Sequence, residues 1–279
     1  EVTRVHGHDR LGRVRERATL TGGTLAFTNL GDLTLAPVSV SAITPLGTFF
    51  TPSADALAFS GTGQGVYANL AGDLTVSALP GATLSAAAAL PMRWQTAGSQ
   101  IWRGTFSLAG GPVTLSAGTE LLMEADGTSS TGNGSLVLRA GTALVLDAAT
   151  EILTGSGDSL LQADTLLLNG ALLGTGQTAA LATRDLLADA GGAPVRLAAD
   201  ALVLTAGRTA GLAGSPILTQ ARLISILAAE GGIAVENIGD LTVTPLGFAV
   251  PEVQLNATQT IAFSGLEAGV TALRGGTIA

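Results

Sequence analysis

The chain predicts an all-β fold, a parallel β-helix (β-solenoid) of about a dozen coils. Three observations predict it. Aliphatic runs of three to five residues recur along most of the 279 residues, and small or turn-forming residues separate them. Such runs are too short for helices and right for strands. Mean hydropathy is high, at +0.47, yet aromatics make up only 4% of the chain and Gly contributes 38 residues. That composition suits a narrow lumen filled by aliphatic ladders. Finally, one phrase is written three times: "NLGDLTL" at 29–35, "NLAGDLTV" at 69–76 and "NIGDLTV" at 237–243.

Residues 1–20 read as an Arg-rich joint or incomplete coil, with five Arg between positions 4 and 17. Residues 21–279 read as the solenoid. Its opening, "GGTLAFTNLGDLTL" at 22–35, matches "GGIAVENIGDLTV" at 231–243. "ITPLGTF" at 43–49 matches "VTPLGF" at 243–248, and "ALAFSG" at 56–61 matches "TIAFSG" at 260–265. The order is kept at an offset of about 200 to 209 residues, which predicts a long super-period and a parent protein larger than this chain.

Residues 91–106, with "PMRWQTAGSQIWRG" at 91–104, look least like a coil and predict an inserted loop or hairpin. Beyond them a shorter rhythm sets in. Val113–Leu115 and Leu121–Met123 flank "SAGTE", and Leu136–Leu138 and Leu144–Leu146 flank "RAGTA". Leu160–Leu161 and Leu166–Leu168 flank "QADT", and Val195–Leu197 and Leu202–Leu204 flank "AADA". These units start about 23, 24 and 35 residues apart. Gly, Ala, Asp and Thr between paired runs are turn chemistry. The stretches 178–190 and 219–230 hold good helix formers, but Gly-Gly ends both, and strands with a corner are expected there. "GGTIA" at the C-terminus stops mid-coil, so continuation into another coil or another chain is expected.

Composition removes several classes of function. There is no Cys, hence no disulfide or thiolate chemistry, and no Lys, hence no Schiff base. A net charge of −8 disfavours nucleic acid. No apolar run reaches the roughly 18 residues of a membrane span. His6 and His8 are the only histidines and sit two apart, as metal ligands can, but no third ligand is evident, so no metal and no cofactor are predicted. Asp158, Asp164, Asp185, Asp189 and Asp200 are the carboxylates that a polysaccharide lyase or hydrolase could use. With no His after residue 8, no Lys and most of these Asp at predicted turns, a non-enzyme is expected. "TGSGDSL" at 154–160 and "GTGQGV" at 61–66 approach calcium-binding repeats but do not recur at nine residues. Asp32, Asp73 and Asp240 follow Gly directly before a strand, which predicts corner residues. Arg93-Trp94 and Trp102-Arg103 are the predicted ligand-binding positions, because indoles stack on sugars and Arg stacks on indoles.

The phrases "GDLTL", "GDLTV", "GPVTLSAGTELLM" and "GSLVLRAGTALVL" resemble the coils of filamentous-haemagglutinin-like proteins, large secreted bacterial adhesins. The resemblance covers most of residues 20 to 279 and implies a right-handed helix, an extracellular or cell-surface location, and contact with cells or with like molecules. The function expected from it is a structural or adhesive rod that presents surfaces or self-associates. Its partners would be neighbouring coils, copies of itself end to end, and host or bacterial glycans. The alternatives are a carbohydrate-binding module that uses Trp94 and Trp102 and, ranked below it, a polysaccharide-degrading β-helix enzyme.

Overall fold

The computed structural model describes residues 91–125, 127–189 and 195–248, together with Asp73, Leu74, Ala89 and the backbone of the strands on either side. Among the described residues every regular element is a strand. The expected parallel β-helix is present. In register order, Met92, Val113, Leu136, Ser159, Thr178, Leu202, Ile224 and Val243 lie one above another, which defines seven turns. At about 4.8 Å per step those turns rise about 34 Å.

Each coil has three faces, called here sheets A, B and C. The coil of residues 92–107 shows them plainly. Met92–Thr96 lies in sheet A, Gln100–Arg103 in sheet B and Thr105–Ser107 in sheet C. Each strand has parallel neighbours in the coils before and after it. Residues 91–106 are therefore not an inserted hairpin: Met92–Thr96 and Gln100–Arg103 do not pair with each other. The apparent symmetry around Ala97-Gly98 is that of a corner.

The third strand of each coil escaped the sequence reading. Thr105–Ser107 and Gly127–Ser130 are short and hold no aliphatic residue, and Ala171–Gly174 is a four-residue strand outside the paired runs. The 35-residue step hides a whole coil. Gln177–Leu187 is a strand that bends from sheet A into sheet B, and Leu197 belongs to sheet C rather than to the start of a unit. The stretches at 178–190 and 219–230 hold strands, Gln177–Leu187 and Ile217–Ala228, as expected. Alternation along these bent strands drives one side chain inward and the next outward, and the buried Leu, Ala and Ile of the lumen follow it.

The lumen is filled in columns. Sheet A contributes Trp94, Leu115, Leu138, Leu161, Ala180 and Leu204, stacked in register. Sheet C contributes Phe106, Ser129, Ile152, Leu172, Leu197, Thr219 and Asn237 on its inner side, and the column is polar at Ser129 and again at its end. Asn237 is fully buried. Its amide donates to the carbonyl of Ala221 at 3.1 Å, and its oxygen accepts the Ala221 N–H at 2.9 Å. It also meets the Thr219 hydroxyl at 2.9 Å. Truncation strands these groups. Asn237→Ala should cost about 1–3 kcal/mol, checked by the midpoint of urea unfolding.

The three copies of the opening phrase occupy three different corners. The first lies between Leu25–Asn29 in sheet B and Leu33–Leu35 in sheet C. The second lies between Val66–Leu70 in sheet A and Leu74–Ala78 in sheet B, and the third between Ala234–Ile238 in sheet C and Thr242–Val243 in sheet A. The phrase thus encodes a corner between two strands and does not mark one angular position. Two copies about 208 residues apart differ by one face, so the long repeat is not a whole number of coils. In the third copy, Gly239 has φ +95°, a conformation open to Gly and costly for other residues.

The block "TPLGF" has a separate purpose. After Val243 the chain crosses the outside of sheet A. There Phe248 is buried with the outward-facing Val137, Leu160, Ala179 and Val203, and Leu246 and Leu181 pack against them. Sheet A therefore carries an apolar column on its outer face as well, from Val137 to Val203. The earlier copy of this block, at 43–49, lies outside the described residues.

Candidate functional site

The residues predicted to bind a ligand divide between the inside and the outside of the coil. Strand alternation puts Trp94 and Trp102 in the lumen, where they are 0% and 5% exposed, and sends Arg93 and Arg103 outward. The indoles pack on each other at 4.9 Å between ring centroids, tilted by 49°. Trp102 Nε1 donates to Gln100 Oε1 at 3.2 Å, and the Gln100 amide bonds the carbonyls of Trp94 and Ser116. Phe106 is buried in the same coil, so an aromatic stands on each of the three faces. This layer is core. Neither indole can stack on a sugar without unfolding the coil, and neither lies against the Arg beside it in sequence. Arg103 instead pairs with Glu124 of the next coil. Arg93 lies on the outside of sheet A near Arg139, whose pKa is lowered first by burial and then by the charge of Arg93.

The carboxylates weighed for catalysis do not converge. Most are spent between coils. Asp158 accepts the Gln177 N–H at 2.8 Å. Asp164 meets the Thr183 hydroxyl and lies 3.6 Å from Arg184. Asp185 pairs with Arg208, and Asp200 pairs with Arg222 at 2.8 Å. Each partner lies 19 to 23 residues further on, one coil along. The remaining one, Asp189, offers its backbone carbonyl to buried Arg196, which also bonds the Asn169 carbonyl. Burial lowers the Arg196 pKa, partly opposed by the Asp189 charge.

The Asp73 carboxylate accepts the Ser99 N–H at 2.7 Å and so caps the following coil. Asp240 is exposed at its corner, while Asp32 lies outside the described residues. His6 and His8 lie on Val2–His8, opposite Glu16 and Val14 in a hairpin with Val14–Leu20. Among the described residues no three His, Cys, Asp or Glu form a group that could hold a metal. A hollow lined by Thr209, Gly211, Leu212, Ala213, Ile233 and Ala234 presents no titratable side chain.

Hydrogen bonding from Arg222 lowers the Asp200 pKa. The stabilisation is complete above the ordinary carboxylate range and is lost as pH falls through the depressed folded value. Both partners are exposed, so the effect is small. Asp200→Asn should flatten the acid limb of stability slightly and leave the neutral plateau nearly unchanged, as read from unfolding midpoints between about pH 2 and 7.

No protein-family model matches the chain, and neither a curated protein nor a solved structure matches it. The features that sequence reasoning missed are the buried Asn237, the outer cover at Leu246 and Phe248, and an outer column of sheet B taken up below. The last was foreshadowed by the unbroken apolar runs in "ELLME" and "ALVL", which leave an aliphatic side chain on both faces, but only the register joins these residues into one line.

Proposed function

We propose that the chain is a structural segment of a large secreted or cell-surface bacterial protein, a rod that gives reach and presents its outer faces to cells or to like molecules. The observation that carries this reading is where the polar chemistry goes. Ion pairs and capping carboxylates join one coil to the next, and Trp94, Trp102 and Phe106 fill the lumen. The chain's side chains are committed to continuing the stack. The resemblance to haemagglutinin-like coils supports the location and the adhesive character, and the proposal is non-enzymatic.

Two measurements test it. Residues 136–158 form one register-matched coil, and their excision should shorten the particle by about 4.8 Å in small-angle scattering. Beads coated with the segment should attach to cells or to one another. Beads that attach to neither, together with release of reducing ends from acidic polysaccharide by the purified chain, would overturn the proposal.

A further inference from the structure

The apolar column Val137, Leu160, Ala179 and Val203 on the outside of sheet A is covered by the chain's own Leu246 and Phe248. Sheet B carries an equally apolar outer line. Ile101, Leu122, Val145, Leu167 and Leu187 face outward and stand in unbroken register over five coils. All five are only partly buried. The line is about 19 Å long at about 4.8 Å per coil.

Carboxylates border this line. Glu120 and Asp185 stand in the register column on one side. Glu124 is on the other, and Asp147 directly follows the sheet B strand Ala143–Leu146. Glu124 and Asp185 are neutralised by Arg103 and Arg208. Glu120 and Asp147 are exposed and have no ion-pair partner among the described residues. An apolar line with uncompensated negative borders fits a partner that is apolar and basic. Packing two such lines together would bring like charges into contact.

The chain itself supplies a matching partner. Residues 1–20 hold five Arg against three carboxylates, whereas the rest holds eight Arg against eighteen carboxylates. The two strands Val2–His8 and Val14–Leu20 form their own antiparallel sheet, separate from the solenoid sheet. Each strand has seven residues, about 23 Å when extended, so a strand laid along the solenoid axis spans the line.

We propose that the outer face of sheet B, along Ile101, Leu122, Val145, Leu167 and Leu187, docks the Arg-rich hairpin of a second copy of this chain. The contact is heterologous, hairpin of one copy to line of the next. It therefore propagates beyond a dimer unless the geometry closes. This deepens the scaffold proposal by naming the partner and the face. Shortening of the particle on coil excision is independent of it, so the two can fail separately.

Sedimentation velocity of the intact chain tests it, at about 0.05 M and about 1 M salt. The wild type should associate at low salt and dissociate at high salt. Arg4→Glu, Arg15→Glu and Arg17→Glu together should weaken association at least tenfold with an unchanged circular-dichroism spectrum, since the hairpin lies outside the solenoid sheet. Adding Glu120→Arg and Asp147→Arg to that variant should restore association. Val145→Lys with Leu167→Lys should abolish it in a chain that keeps its β spectrum. A wild type that is monomeric at low salt would refute the inference. So would a hairpin variant that associates like the wild type, or cross-links that place the hairpin on its own copy's sheet B.

Discussion

Trp94→Ala should destabilise the chain by about 3–5 kcal/mol, the range for deleting a large aromatic from a close-packed core. Trp94 is fully buried, packs on Trp102 and fills the lumen layer that Phe106 completes. The layer has nothing to collapse into, because its neighbours above and below are fixed by ladder hydrogen bonds to the adjoining coils. The measurement is the urea midpoint and slope. If the indole were a surface recognition group, the same change would leave the midpoint within about 0.5 kcal/mol of wild type.

Substitution at Gly141 should do comparable damage by a different route. A Cβ at Gly141 would land on the carbonyl oxygen of Gly118 in the coil before it, and one at Gly118 would land on the carbonyl of Ala97. A second line of glycines repeats the arrangement, with Gly157 over Gly134 and Gly134 over Gly111. Backbone dihedral is not the reason, since Gly118 and Gly141 have no positive φ. The coils approach so closely at these corners that only hydrogen fits. Gly141→Val should prevent folding or cost on the order of 4 kcal/mol. Gly214→Ala is the control. Nothing lies within 4 Å of its added Cβ, and it should be neutral or stabilising by about 0.4–1 kcal/mol. Equal effects at the two sites would contradict the close-approach account.

Much of this architecture was legible in the sequence, and for stated reasons. Runs such as Val113–Leu115 and Leu136–Leu138 are short, rich in aliphatics and bounded by small residues, so strand type and the first two faces of a coil could be read directly. The third face could not. Gly127–Ser130 has no aliphatic run, and it is held by its neighbours' backbone rather than by its own propensity. The Ala-rich strand Gln177–Leu187 has helix propensity that pairing with the coils on both sides overrides. The Trp pair misled because a rare residue beside Arg looks like a surface motif. In a period-2 strand the same adjacency puts Trp and Arg on opposite faces.

The candidate sites were less legible than the fold. Acidic residues at corners could be recognised as structural, but their partners lie 19 to 23 residues away in the next coil, and that distance is a coil length that sequence spacing alone did not fix. Asn237 gave no signal of burial. A phrase ending in Gly-Asp reads as exposed turn, and only the clamp on Ala221 shows why Asn stands inside the lumen.

The central claim is the in-register stack, and one distance tests it. Ser107, Ser130, Leu153, Leu173, Ala198 and Gln220 form a single outward column of sheet C, so Ser107 and Gln220 are five coil steps apart. Because the chain has no Cys, Ser107→Cys and Gln220→Cys can be spin-labelled without other changes. Electron–electron resonance should give a narrow distribution centred at about 24 Å, with the label arms adding a few ångström. A broad distribution, or a centre beyond about 40 Å, would contradict the stack, because parallel coils about 4.8 Å apart cannot separate the two sites that far.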